Sequence, residues 1–449
     1  MYSPWLTSDY KKCEDVKHYK LKHNNEDFYI LINPEIGSWA CLNSIEFDNY
    51  NNGKLEKLKW ENLYLRNLAI TADGGRVEHA FPKPAEYPSL VVVNITTRCN
   101  LNCKYCFANC SPENGEDMPE NVMIAIIRQM LMMPEVDTIT FEFQGGEPTI
   151  NFSGMLTFIE LSEKMKINYN KKIKYRLESN GTNITNEFIE LVKRYNIDIG
   201  ISIDGPQDMT DGARIYPDGH GAFKDIETGI EKLFKSELKI KGAVCTLGKH
   251  NIFDPLRLVK FFNEKKIDFK PRPANILGRE IISKITTTPG EWANFFRKMY
   301  YPSKRGSAEN FAIHIFEENV YTPIRDYICL RWPCGAAREV ISVNPDGNVY
   351  PCDGFKAERK FAMGNILTEP IVDMLRRPWV VKMRNRTWHN IEKCGKCTFR
   401  GMCCSCCYSA YGAYGTIWRE DPHCIDRMAI FKFLINNWIK GKLIEQHSG

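Results

Sequence analysis

Cys99, Cys103 and Cys106 form a C-x3-C-x2-C motif directly after the apolar run "SLVVVNIT", residues 89–96. Three thiolates in one short loop suit a 4Fe–4S cluster that keeps one iron open, whereas a structural zinc site uses four closed ligands. Cys110 follows closely and would complete a zinc quartet. The loop by itself therefore predicts metal binding, with an iron–sulfur cluster favoured and zinc as the alternative.

A second cysteine-rich region begins at Cys334 and continues with a C-x12-G-x4-C spacing through Gly347 to Cys352. It then has the spacing C-x2-C-x5-C-x3-C-x16-C, formed by Cys394, Cys397, Cys403, Cys407 and Cys424. Zinc ribbons also use C-x2-C pairs, so these residues alone fit either zinc or iron–sulfur clusters. The chain has 17 cysteines, and in a reducing cytosol clustered thiols indicate metal or redox chemistry rather than disulfides.

The elements that position the first motif are predicted between residues 89 and 272. Helical stretches such as "MPENVMIAIIRQMLMM" separate six candidate strands, which read "SLVVVNIT", "TITFEF", "IKYRLES", "DIGISI", "LKIKGAVC" and "IDFKPR". This alternation predicts parallel βαβ units that close partly into a barrel, two units short of the usual eight. Active sites of such barrels lie at the carboxyl ends of the strands, where the motif is placed.

Polar, glycine-bearing segments follow the next three candidate strands. They are "QGGEP" (residues 144–148), "ESNGT" (178–182) and "SIDGP" (202–206), the last followed by Arg214. Each segment alone is a common turn. Their repetition at one end of the same barrel indicates a binding site, in which paired glycines let the backbone approach a ligand closely and Glu147 can pair with an ammonium group.

The rest of the chain divides into three regions. Residues 1–85 predict a small mixed unit, with strands in "HYKLKH" and "DFYILIN" and helices in "GSWACLNSIEFDNY" and "WENLYLRNLAI". A Gly- and Pro-containing linker, "TADGGRVEHAFPKPAEYP", separates this unit from the barrel at residues 86–275. A connecting helical region at 276–328 and a cysteine-rich domain at 329–449 follow, and the domain ends in the apolar helix "DRMAIFKFLINNWIKGKL".

The composition argues against several classes of protein. The 449 residues carry a net charge of +5 from 60 basic and 55 acidic side chains, which is too mild to indicate nucleic-acid binding. The first residues lack the apolar core of a signal peptide, and no window approaches a membrane span. We expect a cytoplasmic protein with neither nucleic acid nor membrane as a partner.

Residues 89–272 resemble the radical S-adenosylmethionine (SAM) superfamily, whose C-x3-C-x2-C signature has an aromatic residue before the last cysteine, here Tyr105. The resemblance implies a 4Fe–4S cluster held by the three motif cysteines, with SAM on the open iron and Cys110 as a spare thiol. It places Gln144 at a substrate-side position. The residues that it implies for SAM binding are Tyr105, Gly145, Gly146, Glu147, Ser179, Asn180, Ser202 and Arg214.

The second cysteine region resembles the SPASM domain, an extension that carries two auxiliary 4Fe–4S clusters in enzymes that modify peptides and proteins. By motif order, the first auxiliary cluster is expected on Cys329, Cys334, Cys352 and Cys407. The second is expected on Cys394, Cys397, Cys403 and Cys424, which makes three clusters in all. Cys404 and Cys406 belong to neither set, and we expect them to be buried.

Asp353, in "VYPCDGF", lies beside a predicted cluster ligand. In anaerobic sulfatase-maturing enzymes the aspartate at this motif position is the proposed base, and a carboxylate here can accept a proton as an electron leaves through the irons. The alternative is a turn residue before Gly354, the common role of an Asp-Gly pair. The expected fold is α/β: a partial (β/α)6 TIM-like barrel with a small N-terminal winged-helix-like domain and a C-terminal cysteine-rich SPASM domain.

A resemblance to sactipeptide- and ranthipeptide-type maturases implies the function. A 5′-deoxyadenosyl radical is expected to take hydrogen from a ribosomally made peptide, which then forms a thioether or another side-chain crosslink. The N-terminal unit favours this interpretation, because its strand and helix order suits a winged-helix leader-recognition domain whose sheet edge can add a peptide strand. The expected partners are a precursor peptide with its leader and an external low-potential electron donor such as flavodoxin or ferredoxin.

Two alternatives remain at the level of sequence. A sulfatase maturase that forms formylglycine is supported by "QGGEPT" and "YPCD", although such enzymes usually begin close to their cluster motif. A non-catalytic iron–sulfur electron carrier is the alternative of another class, and the binding segments at successive strand ends argue against it.

Overall fold

Two small antiparallel sheets and two helices form the N-terminal unit of the computed structural model, which describes residues 9–78, 84–113, 115–322, 329 and 333–447. The elements of this unit are β1 (Tyr10–Lys12), β2 (Lys17–His23), β3 (Glu26–Ile32), β4 (Trp39–Asn43), α1 (Ser44–Asn51), α2 (Lys57–Tyr64) and β5 (Ala69–Thr71). Strands β2, β3 and β4 form one sheet in that order, and β1 pairs with β5.

Both strands predicted for this unit are confirmed as β2 and β3, but its helices are confirmed only in part. The residues of β4 were expected to be helical and instead pair with β3. Helix α1 begins at Ser44 because Asn43 and Glu46 form a reciprocal capping box, with N···O distances of 2.9 and 3.0 Å. Residues 1–8 and part of the predicted linker, 79–83, lie outside the described residues.

Six parallel strands follow, as predicted, with helices between them. The elements are β6 (Leu90–Thr96), α3 (Glu120–Leu131), β7 (Thr138–Gly145), α4 (Phe152–Met165), β8 (Lys172–Ser179), α5 (Asn186–Tyr195), β9 (Asp198–Ser202), α6 (Gln207–Asp211), α7 (Phe223–Lys235), β10 (Ile240–Leu247), α8 (Pro255–Lys265) and β11 (Phe269–Pro273). Neighbouring strands pair in parallel. Their carboxyl ends therefore meet on one side, where the first cysteine motif lies.

Side chains of the barrel strands point alternately into the apolar core and into the barrel interior. In β7, Phe141 and Phe143 are fully buried against Phe158 of α4, with ring centroids 5.0 and 5.5 Å apart. Glu142 and Gln144 point to the opposite face because successive side chains of a strand alternate. Polar groups are thereby directed into the barrel, and the apolar core lies between the sheet and the surrounding helices.

The remaining chain forms the connecting helices and the C-terminal domain. Its elements are α9 (Glu280–Ser283), α10 (Glu291–Arg305), α11 (Phe311–Tyr321), β12 (Val340–Val343), β13 (Asn348–Tyr350), β14 (Gly364–Asn365), α12 (Ile371–Met374), α13 (Pro378–Arg384), α14 (Glu392–Gly395), α15 (Cys407–Tyr414) and α16 (Cys424–His447). The expected connecting helices are present as α9 to α11, while residues 323–328 of that region lie outside the described residues. No helix in the described part of the chain is both long and apolar enough to span a bilayer.

A strand of the C-terminal domain completes the barrel sheet. Among the described residues, the sheet has nine strands in the order β11-β10-β9-β8-β7-β6-β12-β13-β14. Strand β12 runs parallel to β6, with Val340 beside Leu90 and Val343 beside Val93. The sequence did not predict this pairing, which joins the strand that leads into the first cysteine motif to the domain that contains the second cysteine region.

The N-terminal unit packs on the C-terminal domain. The Trp39 indole donates to Val320 O at 2.8 Å, and its ring centroid lies 5.2 Å from that of Trp438 in α16. Ile30 and Ile32 are buried in the same core as the inner face of α16. The linker composition favoured a separately attached unit, but the structure shows a unit that shares the main core.

Candidate active site and cluster-binding cysteines

The loop after β6 carries Cys99, Cys103 and Cys106, whose side chains are all half-buried. Arg279 follows β11, the strand at the edge of the sheet, and binds this loop. Its Nε donates to Cys103 O at 2.9 Å, and its backbone N–H donates to Cys106 O at 3.1 Å. Three thiols on one anchored loop are the donor set that suits a 4Fe–4S cluster with an open iron.

Cys110, expected to be a spare thiol, is buried beside Cys106. A hydrogen bond from Cys110 to the Cys106 thiolate lowers the pKa of Cys106 in spite of its burial. The Cys110 sulfur also lies 3.9 Å from Gly145 O at the end of β7. Cys110 thus contacts Cys106, an expected cluster ligand, and links it to the end of β7.

The paired glycines of "QGGEP" pack against the cysteine loop. A Cβ atom on Gly145 would lie 2.0 Å from Thr96 O, and one on Gly146 would lie 2.0 Å from Arg98 O. Gly145 also has a φ of +132°, which favours glycine. The structure therefore gives both glycines a role in joining β7 to the motif loop, while their contact with SAM stays a prediction.

Glu147 is the centre of a buried network at the ends of β7 and β8. Its carboxylate accepts hydrogen bonds from Ser179 Oγ at 2.7 Å and from the Asn180 N–H at 2.6 Å, besides two from Thr149. Burial raises the pKa of Glu147, and these donors oppose the shift. The Asn180 amide nitrogen lies 4.0 Å from Cys99 Sγ, so the network reaches the cluster loop. The predicted contact of Glu147 with the SAM ammonium group is not tested by these distances.

Arg214 and Tyr105, both predicted SAM contacts, meet at the buried carboxylate of Asp204. Arg214 donates to Asp204 Oδ1 at 3.1 Å, the Tyr105 hydroxyl donates to Oδ2, and His250 Nε2 lies 3.5 Å from Oδ2. Burial alone would raise the pKa of Asp204, but Arg214 and His250 bring it below its ordinary value. The Asp204 carboxylate therefore holds Arg214 and Tyr105 next to each other, with Arg214 Cζ 5.4 Å from the centroid of the Tyr105 ring.

The barrel interior contains unsatisfied polar atoms that suit a polar ligand. Ser202 ends β9 and is half-buried. On β8, Glu178 Oε2 is buried with no hydrogen-bond partner among the described residues, and Arg214 Nε is in the same condition. Burial and the neighbouring Glu142 raise the pKa of Glu178 to about 8. Because buried polar groups are normally paired, these atoms fit a site that accepts the polar groups of SAM.

Asp353 has the position expected for a turn residue, and it also lies beside the barrel mouth. It starts a short helical turn, and its Oδ1 lies 2.8 Å from the Nζ atom of Lys356. Lys356 is buried and donates to Gly145 O at 3.2 Å and to Asn94 Oδ1 at 3.3 Å. Gln144 donates to Glu142, whose pKa is raised by burial and, to a smaller extent, by Asp353. Lys356 thus links the predicted base to the end of β7, the strand that carries the predicted substrate-side residue Gln144.

Three of the four cysteines expected on the first auxiliary cluster lie together. Cys334, Cys352 and Cys407 pack in one apolar group with Tyr350, Phe355 and Tyr408. Cys329 is exposed, and its ligation stays a prediction. Of the two cysteines assigned to neither cluster, Cys404 is buried as expected and contacts the Cys334 thiol, whereas Cys406 is half-buried and packs in the same apolar group.

All four cysteines expected on the second auxiliary cluster line one cavity of about 340 Å³, namely Cys394, Cys397, Cys403 and Cys424. Cys394 lies in α14, Cys397 and Cys403 lie in the segment that follows it, and Cys424 begins α16. Asp426, in the first turn of α16, holds that turn against the start of α10, because its Oδ1 accepts the N–H groups of Gly290 and Ala293 at 2.9 Å each. Four thiols around one cavity are the donor set of a fully ligated 4Fe–4S cluster.

Sequence reasoning missed four residues that position the site: Asp204, His250, Arg279 and Lys356. Asp204 was visible in "SIDGP", at the same strand end as Ser202, and could have been found from its place in that segment. Arg279 and Lys356 carry no local pattern, because each acts on backbone carbonyls that are remote in sequence. Only the fold brings them to the site.

Comparison with known proteins agrees with this geometry. A family model described as the radical SAM superfamily matches residues 93–262, and one described as SPASM, an iron–sulfur cluster-binding domain, matches residues 334–398. A serine-type anaerobic sulfatase-maturating enzyme of Bacteroides thetaiotaomicron is 27% identical over 320 residues, which cover 65% of this chain and 75% of that protein.

Solved structures show the same fold at lower identity. Native anSMEcpe with bound AdoMet superposes with a TM-score of 0.68 and 20% identity, covering 78% of this chain and 98% of that chain. Streptococcus suis SuiB bound to its precursor peptide SuiA has a TM-score of 0.54 and 17% identity, covering 92% and 99%. The chain is therefore a radical SAM enzyme whose barrel is followed by a SPASM domain.

Proposed function

We propose that this enzyme modifies a ribosomally synthesised precursor peptide, and that it forms a thioether or another side-chain crosslink. When bound, SAM and the barrel cluster supply a 5′-deoxyadenosyl radical that takes hydrogen from an unactivated carbon. Auxiliary clusters held by the cysteines of the SPASM domain would accept the electron left after substrate oxidation. The reductant that starts the reaction is an external low-potential donor such as flavodoxin or ferredoxin.

The observation that carries the proposal is the available edge of strand β2. In the described part of the chain, β2 pairs on one side only, with β3. Its residues alternate between exposed and half-buried, and Lys17 and Lys22 are among the exposed ones. An extended leader peptide can add to such an edge by main-chain hydrogen bonds, while alternate side chains provide selectivity. SuiB, whose superposition covers 92% of this chain, is a protein that binds a precursor peptide.

The residues around the barrel mouth suit an oxidative coupling. Asp353 pairs with the buried Lys356 beside the barrel, and a carboxylate at this place can accept the proton that the substrate loses as the new bond forms. Gln144, near the end of the neighbouring strand β7, donates to Glu142 and can orient the peptide. Arg279 and the paired glycines hold the cysteine loop against this site.

A second candidate is the formation of formylglycine in a sulfatase. The relative from Bacteroides thetaiotaomicron is a sulfatase-maturating enzyme, and anSMEcpe has the higher TM-score of the two structures. The "YPCD" and "QGGEPT" segments fit this activity equally well. The non-catalytic carrier is set aside, because the chain is a radical SAM enzyme with maturase relatives.

The two candidates are separated by the chemistry of the product. Reconstituted enzyme, SAM and reductant are incubated either with a cysteine-containing precursor peptide or with a peptide carrying a sulfatase modification motif. A crosslink removes two hydrogens and retains sulfur, whereas formylglycine carries an aldehyde that a hydrazide reagent labels. An aldehyde on the sulfatase peptide, with no change in the precursor, would reject the crosslinking proposal.

A pair of variants tests the role of β2 in the same assay. Lys17→Glu together with Lys22→Glu should change binding of a leader that pairs along this edge and spare reaction with a leaderless core peptide. Lys164→Glu, on the distant helix α4, is the matched control. Unchanged precursor binding in the β2 variant contradicts the recognition role of this edge.

A further inference from the structure

The turn between β3 and β4, residues 33–38, is a rigid projection of the N-terminal unit. The Asn33 side-chain oxygen accepts the N–H groups of Glu35 at 2.9 Å and Ile36 at 3.4 Å, and its amide donates to Asn67 O at 2.8 Å. Asn33 is itself buried. The direction in which Glu35 leaves the turn is therefore fixed by the N-terminal unit.

Glu35 binds the segment that carries the second set of cluster cysteines. Its Oε1 accepts from Arg400 Nε at 3.0 Å and from a second guanidinium nitrogen. Its Oε2 accepts from the Trp388 indole at 3.1 Å and lies 3.6 Å from His389 Nε2. One carboxylate of the N-terminal unit thus holds three side chains of the C-terminal domain.

Arg400 carries this contact to the predicted cluster ligands. It lies between Cys397 and Cys403 in the chain, and its Nη1 donates to Gly395 O at 3.0 Å and to Cys397 O at 3.3 Å. The Cys403 N–H in turn donates to Arg400 O at 3.2 Å. Arg400 also lines the cavity that the four thiols share.

The two segments approach too closely to slide past one another. A Cβ atom on Gly401 would lie 2.3 Å from the Gly37 nitrogen and 2.7 Å from Pro34 O. Such contacts with backbone atoms leave room only for glycine. The position of Glu35 relative to the cysteine loop is therefore determined by packing as well as by charge.

A charge placed beside a cluster changes its reduction potential, as do hydrogen bonds and solvent exposure. The Arg400 side chain is 13% exposed and that of Glu35 37%, so their charges are only partly screened. A guanidinium near the cluster favours the reduced state, and Glu35 offsets that effect. We propose that Glu35 is a positioning residue by which the N-terminal unit sets the reduction potential of the second auxiliary cluster.

The test measures potential rather than activity. The full-length chain and its variants are reconstituted, and the second cluster is followed by potentiometric titration with electron paramagnetic resonance, its signal being the one lost in Cys394→Ala. Glu35→Gln should shift the potential in the positive direction, because Arg400 loses its counter-ion. Arg400→Gln should shift it in the negative direction, and the double variant should return close to the wild-type value.

Glu46→Gln is the matched control, because it removes a carboxylate that pairs with Lys59 in the same unit and does not contact the cysteine loop. Iron content is measured in parallel, so a chain that fails to hold the second cluster at all is recognised separately. Loss of iron from Glu35→Gln itself would show that Glu35 holds the cluster loop together rather than sets a potential, and would overturn the proposal. Shifts of the same sign in the two single variants, or shifts no larger than that of Glu46→Gln, overturn the proposal.

Discussion

Lys356 Nζ lies 2.8 Å from Asp353 Oδ1 and 3.2 Å from the Gly145 carbonyl, so one buried ammonium group joins the SPASM domain to the barrel mouth. The ion pair places the Asp353 carboxylate next to the end of β7, the strand that carries Gln144 and Gly145. This geometry makes the proton-accepting role of Asp353 testable separately from SAM cleavage.

Replacing Asp353 with Asn should slow product formation while leaving uncoupled SAM cleavage intact, because the amide cannot accept the substrate proton. We expect a loss of about 100-fold or more in the product-forming rate, the usual scale for a general base. Product and 5′-deoxyadenosine are quantified in the same reaction. An equal rate of product formation in Asp353→Asn would return this residue to a turn role alone.

The barrel cysteines can be tested by metal content. Eleven cysteines in three sets should hold about twelve irons per chain. Replacing Cys99, Cys103 and Cys106 with Ala should remove about four of them and abolish 5′-deoxyadenosine formation. Iron analysis and chromatography measure both. Zinc in place of iron at the C-terminal sites of anaerobically reconstituted protein contradicts the expected auxiliary clusters.

Asp204→Asn should destabilise the fold by about 3–5 kcal/mol, since it leaves the buried Arg214 without its counter-ion. Asp208→Asn is the control, because Asp208 forms an exposed pair with Arg257 and should cost less than about 1 kcal/mol. Denaturant unfolding measures both. A similar cost for the two variants shows that the Asp204 pair is not strongly buried in solution.

The same carboxylate gives a pH dependence. The pKa of folded Asp204 lies below its ordinary value of 3.8. Its contribution to stability is therefore fully present above pH 3.8 and is lost as the pH falls through the folded pKa. Because the loss lies below pH 3.8, unfolding measured from pH 6 down to about pH 2 should show a smaller acid-dependent loss in Asp204→Asn than in the wild type, and parallel curves would contradict the assignment.

Gly146→Ala should disturb the motif loop, because the added Cβ meets the Arg98 carbonyl at 2.0 Å. We expect a cost of about 1–3 kcal/mol and a lower iron content of the barrel cluster. Gly441→Ala, where the added atom meets nothing within 4 Å, is the control. Full iron in Gly146→Ala would show that the loop adjusts without loss.

The sequence predicted the elements whose information is local. All six barrel strands were found, because each buried strand is followed by a helix with its own apolar period, and the spacing of the cysteines pointed to both cysteine regions. Strand β4 was predicted as helix because its apolar residues continue into the helix-like spacing of α1. The strand ends and the helix begins at the capping box of Asn43, which the spacing of apolar residues does not reveal. Strand β12 was missed because its pairing depends on β6, far away in the chain.

The candidate site shows the same division. Glu147, Ser179 and Asn180 were expected at one site and do meet. Arg279 was not expected, because its partners are carbonyl oxygens that any sequence provides. Glu35 was not expected either, since nothing in "INPEIGS" indicates a partner in the cysteine-rich loop more than 360 residues later.

The pairing of β12 with β6 also has a consequence for synthesis of the chain. Asn94 and Asn344, which follow the paired residues and hydrogen-bond to each other, are 250 residues apart. On a ribosome adding about 5–20 residues per second, β6 waits roughly 12–50 s with one edge unpaired. The strand that delivers the first cysteine motif therefore keeps one edge uncovered until β12 has been made, and an uncovered edge invites pairing with another chain. The nascent barrel is therefore most exposed to such pairing while its motif cysteines are still accessible to the cell's iron–sulfur assembly machinery.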